Sequence, residues 1–356
     1  MKKILFVHKV PSGNFGNADA QYMPMTLAKL GYDVTVVALA GGDASLLRNA
    51  GVRVRELKGG TSWFGELSKT VREIRPDIVH VFIHAGCGIY PLIMRSNPRA
   101  RFILDIRSPS LRKGPTRYIA QAKNRLEPLF YDAITAHSIE SAWTLISKRH
   151  TVHLVPPGIE LACIPTHTRI TTSNGPIRLI YIGSLRRLRK VPDMLKAVLI
   201  AGKSIPLQLD IYGDGEDLGV IEAMIRQHQA EQWIHLQQII PRNDLLQRLG
   251  LYDIGLSYVP KTLYDPAPPL KTIEYLASGI TAVATNTRGN ELLINHQENG
   301  ILAAEDPPAF AEGILLAAND AQLRRKCAKN ARPSVEQYDW TYIVKTLLLP
   351  VYEGTV

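Results

Sequence analysis

Short apolar runs alternate with helical patterns along nearly the whole chain, and the alternation starts twice. In the first half the runs fall at residues 3–7, 33–38, 52–57, 78–82, 102–106 and 133–136, with helical patterns such as 18–30 and 139–147 between most of them. The second half restarts at 178–182 and continues with runs at 207–212, 234–236, 254–258 and 281–284, separated by helical patterns near 192–201, 218–227, 244–249 and 272–278. From Pro307 onward the pattern is mostly helical. Strands that alternate with helices build a parallel sheet whose crossovers cover its faces. Between the halves, residues 164–176 are rich in Thr, Ser and Pro and have no clear period, which reads as a linker. The expected fold class is therefore α/β, with two doubly wound, Rossmann-like domains facing across a cleft, residues 1–163 and 177–335. A length of 356 residues agrees with two domains. Ligands of such sheets bind outside the carboxyl ends of the strands, where the polar and glycine-rich loops of this chain fall.

The three cysteines, Cys87, Cys163 and Cys327, lie too far apart for a metal-ligand spacing or a disulfide framework, which fits a reducing, cytoplasmic setting. No apolar run reaches the length of a membrane span. The opening MKKILFVHKV is interrupted by His8 and Lys9 and reads as a buried first strand, not a signal peptide. The net charge of +10 is unevenly placed: residues 1–170 carry 23 Lys and Arg against 12 Asp and Glu, residues 171–356 carry 19 against 20. A basic half suggests an anionic partner. No nucleic-acid motif accompanies it, so no nucleic acid is expected. An anionic membrane surface, met peripherally from the cytoplasmic side, fits better; a merely solvated basic face is the alternative.

Six stretches can carry chemistry. In residues 270–300, Lys271 and Glu274 share a helix face just after Pro268 and Pro269. A carboxylate in a helix's first turns can accept two hydroxyls from a ribose; an ordinary first-turn glutamate, favoured by the dipole, is the plainer alternative. The loop VPSGNFGNADA follows the first strand, and Gly13 and Gly16 let its backbone turn sharply or approach a ligand. It lacks the dinucleotide fingerprint. In YIGSLRRLRKVPDMLKA, Gly183 ends a strand, and Arg186, Arg187, Arg189 and Lys190 crowd the approach to a helix near Pro192. Cations are disfavoured at that end of a helix, and a bound anion would relieve the conflict. In DIYGDGED, Asp214, Glu216 and Asp217 are better explained as caps than as metal ligands, so no metal site is expected. In the first half, His84 follows a strand as a candidate base or sugar contact, while His80 reads as a satisfied core histidine. Asp105 and Arg107 sit at another strand end. The segment from Arg107 to Phe130 is basic and partly amphipathic, suited to lie on anionic lipid or to pack as a helix with a basic outer face. There is no nucleophile elbow, P-loop or zinc spacing.

Together these stretches resemble the family-four retaining glycosyltransferases of GT-B fold. YIGSLRRLRKVPDMLKA is similar to their strand-plus-cation segment, IYGDGED to their glycine turn, and IEYLASGITAVATNTRGNELLINHQENGIL to their donor-site signature. LVPPGIEL looks like the stretch that closes their first domain. WTYIVKTLLLPVY looks like their last helix, which implies that residues 336–356 cross back onto the first domain. The resemblance implies that Glu274 holds the ribose of a nucleotide-diphosphate sugar, and that Arg189 and Lys190 bind its diphosphate. It also implies that Gly13, Asn14 and Gly16 line the sugar and phosphate, that Thr287, Arg288, Gly289 and Asn290 lie near the diphosphate, and that Gly183, Ser184, Gly213, Asp214 and Arg107 complete the donor site. Three positions depart from the family pattern: Pro266, beside Asp265, replaces a second glutamate, Ser184 an arginine, and Arg107 a histidine. The form PLKTIEYLASG is similar to a bacterial subgroup with Lys-x-x-Glu, in which Lys271 could supply the cation lost at Ser184.

The expected activity is transfer of a sugar from such a donor to a saccharide or lipid-linked acceptor, with retained configuration and no metal or other cofactor, in surface polysaccharide or glycolipid synthesis. A nucleotide-sugar epimerase of the same fold and a non-catalytic nucleotide-sugar-binding protein are the alternatives.

Overall fold

The computed structural model describes residues 1–12, 19–95, 97–107, 125–165 and 175–356. The chain divides into two compact units, Met1–Gly158 with Trp340–Val356, and Ile159–Asp339. The second unit begins at Ile159, so its span takes in the stretch 164–176 read as a linker, most of which lies outside the described residues.

In the first unit, strands β1 (Lys3–Pro11), β2 (Asp33–Leu39), β3 (Arg53–Leu57), β4 (Ile78–Phe82), β5 (Arg101–Ile106), β6 (Ala133–Ala136) and β7 (His153–Leu154) form a parallel sheet in the order β3-β2-β1-β4-β5-β6-β7. Ile4, Leu5, Phe6 and Val7 of β1 are all buried, as a strand covered on both faces requires. On one face lie the helix Asp19–Lys29 and the end of the chain. There Trp340, Ile343, Val344, Leu348, Val351 and Tyr352 join a core with Ile4, Phe6, Met23 and Leu27. The other face packs Leu5 and Val7 with Trp63, Leu67 and Val71 of the helix Ser62–Ile74.

In the second unit, β8 (Ile177–Ile182), β9 (Leu207–Tyr212), β10 (Ile234–Gln237), β11 (Ile254–Ser257), β12 (Thr281–Thr285) and β13 (Gly300–Ala303) form a parallel sheet in the order β10-β9-β8-β11-β12-β13. Alternate residues of β8 serve opposite faces. Leu179 and Tyr181 pack with the helices Val191–Ala201 and Pro307–Asn319, while Ile180 and Ile182 pack with Ile273, Leu276 and Ala277 of the helix Leu270–Ser278.

The first strand of each unit lies inside its sheet, so the order reverses between β1 and β4 and between β8 and β11. Such reversals open a crevice at the carboxyl ends of the strands, where ligands of open α/β sheets bind.

Candidate functional site

The reversal between β8 and β11 positions the best-formed group of polar side chains. Tyr275 fixes the helix Leu270–Ser278 across it. Its ring lies where a Cβ on Gly255 would stand, 2.4 Å from the nearest ring atom, and its hydroxyl accepts from Ile182 N at 3.0 Å. With Tyr275 pinned, the preceding turn carries Lys271 and Glu274 beside the end of β8. There the backbone passes through Gly183 at φ +141°, a conformation L side chains rarely adopt. A Cβ on Gly213 would stand 2.0 Å from Gly183 O, so the turns after β8 and β9 also need glycine to meet.

Lys271 Nζ lies 3.8 Å from the centre of the Tyr181 ring, a cation–π distance. It is buried and has no hydrogen-bond partner among the described residues. Burial pushes its pKa well below the usual lysine value, nearby Arg189 pushes it further, and Glu274 opposes the shift. A buried ammonium without a hydrogen-bond acceptor is costly. Ser184, where the family pattern has arginine, leaves the end of β8 without that cation, and its carbonyl accepts from Tyr181 Oη at 3.4 Å.

Glu274 is buried and paired with Arg242, a residue the sequence reading did not single out. Arg242 Nε donates to Glu274 Oε1 at 3.0 Å, and Nη2 donates to the same oxygen. Arg189 ends a short 3-10 turn, Arg187–Arg189, before Lys190, which is left-handed at φ +51°. Lys190 Nζ is bound to Glu305 Oε1 at 2.8 Å, so its charge is already matched within the unit.

Other expected donor contacts are committed to the scaffold. Asp214 Oδ1 accepts from Gly215 N at 2.8 Å and its carbonyl from Leu185 N at 2.8 Å, which closes the glycine turn. Thr287 caps the short helix Arg288–Glu291 by accepting from Asn290 N. Asp265 Oδ1 takes Arg288 N at 3.0 Å, Oδ2 takes Arg288 Nε at 2.6 Å, and the Asp265 carbonyl takes Gly289 N at 2.6 Å. The Asn290 side chain is buried between Thr272 and Thr285. The amides of Arg288, Gly289 and Asn290 therefore already have acceptors. Asp265 acts here as the clamp of that helix start.

In the first unit two of the candidate residues have partners within the fold. His84 Nδ1 lies 2.9 Å from Phe82 O and Nε2 2.9 Å from Tyr90 Oη, so neither ring nitrogen is left for a substrate proton in this arrangement. Burial also lowers its pKa. Arg107 is buried. Its Nε donates to Asp105 Oδ2 at 2.7 Å, and its Nη1 donates to Val155 O at 2.7 Å and to Asp19 Oδ2 at 3.3 Å. It ties the ends of β5, β7 and the helix Asp19–Lys29 together. His80 is a buried core histidine, with Nε2 3.1 Å from Asp105 Oδ2 and Nδ1 2.9 Å from Tyr352 Oη. Gly13, Asn14 and Gly16 lie outside the described residues, as does most of the basic segment after Arg107.

Residues 25–162 match the model of Glycosyltransferase Family 4, and residues 165–334 match that of Glycosyl transferases group 1. Together the two glycosyltransferase models cover most of the chain. It is 26% identical over 241 residues to the D-inositol 3-phosphate glycosyltransferase of Jonesia denitrificans, a match covering 62% of this chain and 55% of the relative. The chain thus spans about half the length of that curated relative. A glycosyltransferase from Rickettsia africae superposes with a TM-score of 0.77 at 16% identity, covering 99% of this chain and 98% of the other. HepE of Anabaena, solved with UDP and glucose, superposes with a TM-score of 0.74 at 16% identity over the whole of both chains. These two likenesses concern the fold.

Proposed function

We propose that this glycosyltransferase moves a sugar from a nucleoside-diphosphate donor to a saccharide or lipid-linked acceptor, with retained anomeric configuration, in surface polysaccharide or glycolipid synthesis. The observation that carries the proposal is the placement on one helix face, at the strand ends, of the buried Lys271 side chain, which has no hydrogen-bond partner among the described residues, and an anchored carboxylate, Glu274. An anion would supply what Lys271 lacks, and vicinal hydroxyls suit Glu274. UDP in the structure of HepE makes uridine a sensible first base to try.

Heterolysis of the anomeric C–O bond leaves its electron pair on the departing diphosphate. Lys271 and Arg189 would take up that charge in a site of low polarity, where preorganised cations act most strongly. Metal-independent departure of the diphosphate follows as part of the proposal. Lys190 is a weaker candidate for the same role because Glu305 already neutralises it. Calorimetry with UDP, ADP and GDP tests the donor site. One of them should bind, and Glu274→Ala should weaken binding and transfer at least tenfold, roughly the value of one hydrogen bond to a charged group. Wild-type affinity and turnover in that variant would remove Glu274 from the site.

The first unit would meet a lipid-linked acceptor at an anionic membrane surface. It carries the chain's excess of positive charge. Leu92, Leu126 and Leu129 are 58%, 62% and 55% exposed. They lie on neighbouring segments joined by Glu127, which accepts from Gly86 N and Gly88 N. The protein should float with vesicles rich in anionic lipid at low salt and less at high salt. Leu92→Glu combined with Leu129→Glu should release it without lowering calorimetric donor affinity. Absence of flotation at low salt would end the membrane proposal.

A further inference from the structure

Arg242 opens the helix Arg242–Arg248, the end at which the helix dipole disfavours a cation. It binds Glu274, 32 residues later in the chain. Both donor groups, Nε and Nη2, converge on Oε1. Glu274 Oε2 accepts no hydrogen bond among the described residues, and it is not among the sealed polar atoms. The carboxylate is thus anchored by one oxygen and open at the other, although the residue is only 5% exposed.

We propose that Arg242 is a positioning residue that sets selectivity for ribose over deoxyribose, by fixing Glu274 so that Oε2 faces the hydroxyls of the nucleotide sugar. This rests on the reading of Glu274 as the ribose acceptor. A charge-assisted contact from a planar fork holds the carboxylate plane in one orientation. An unanchored glutamate would have to be ordered by the ligand itself. Ionised carboxylate oxygens only accept, so Oε2 is satisfied by a hydroxyl and left unmatched by the C–H of a deoxy sugar.

The test is calorimetry on the full chain with UDP, 2′-deoxy-UDP and 3′-deoxy-UDP, for the wild type, Arg242→Gln and Arg242→Lys, with melting curves as a folding control. Should UDP give no heat, the same ribo and deoxy pairs of ADP and GDP take its place. The wild type should bind the ribonucleotide roughly ten- to hundredfold more tightly than the weaker deoxy analogue. In Arg242→Gln the ratio should fall below about threefold while ribonucleotide binding persists, because the neutral amide replaces a charged fork. Arg242→Lys should restore part of the ratio. An unchanged ratio in Arg242→Gln overturns the inference and leaves the donor site standing, as does tighter ribonucleotide binding in that variant, which would mark the pair as an obstruction. A wild type that binds without discriminating overturns the placement of ribose on Glu274. Failure of every diphosphate to bind overturns the donor site, and this inference with it.

Discussion

Replacing Lys271 with Met is expected to raise the melting temperature by roughly 2–4 °C, the shift of about 1 kcal/mol in a unit of this size, while cutting sugar transfer at least ~100-fold. Both effects have one cause. Nζ is buried without a hydrogen-bond partner among the described residues, and methionine fills similar space without a charge to desolvate. The sign with pH follows from the lowered pKa. Below the ordinary lysine value near 10.5 the unfolded chain binds the proton more readily than the folded one, so the wild type loses stability as pH falls towards the folded pKa. The advantage of Lys271→Met should therefore shrink between pH 7 and pH 10. Melting curves at those two pH values and a transfer assay check both halves. A variant that is less stable at pH 7, or that transfers normally, refutes the role given to this residue. Strain held at a binding site and relieved by an inactivating substitution is the usual form of the trade between stability and activity.

Arg107→Met should have the opposite outcome, a loss of ~3–5 kcal/mol at neutral pH, because removing one member of a buried ionic group leaves the others uncompensated. Burial alone would raise the Asp105 carboxyl, yet Arg107 and the His80 hydrogen bond hold it well below the usual range. Burial raises Asp19 to about 6 even with Arg107 beside it. Without the guanidinium both carboxyls rise. A group raised on folding contributes stability below its unfolded pKa and loses it as pH rises through the folded value. The deficit of Arg107→Met, measured by urea denaturation, should then be larger at pH 7 than at pH 5. A deficit that grows in acid would contradict the ionic account.

The strands were legible because parallel strands buried on both faces leave continuous apolar runs, as at Ile4 to Val7 and in Thr281–Thr285. The edge strands His153–Leu154 and Gly300–Ala303 were missed, since two to four residues containing histidine or glycine give no run to read. At the site, Lys271 and Glu274 were readable because their relation is local to one helix. Arg242 was not, because its bond to Glu274 joins two helices that the sequence separates. A signal did exist: a cation in a helix's first turn, the same mismatch with the dipole that drew attention to residues 186–190. Lys190 shows the limit of that signal. Glu305, 115 residues away, pairs with it within the fold.

The first unit is assembled from both ends of the chain, and Tyr352 reaches His80 across 272 residues. A ribosome releasing this polypeptide finishes all of Ile159–Asp339 before it makes Trp340. At ~5–20 residues per second, the nascent first 158 residues wait roughly 10–40 s for the tail that completes their core. During that interval Ile4, Phe6, Met23 and Leu27 lack the aromatic and aliphatic groups that will cover them. Early chain termination would therefore injure the portion made first, while the portion made last before the stop already has its own core.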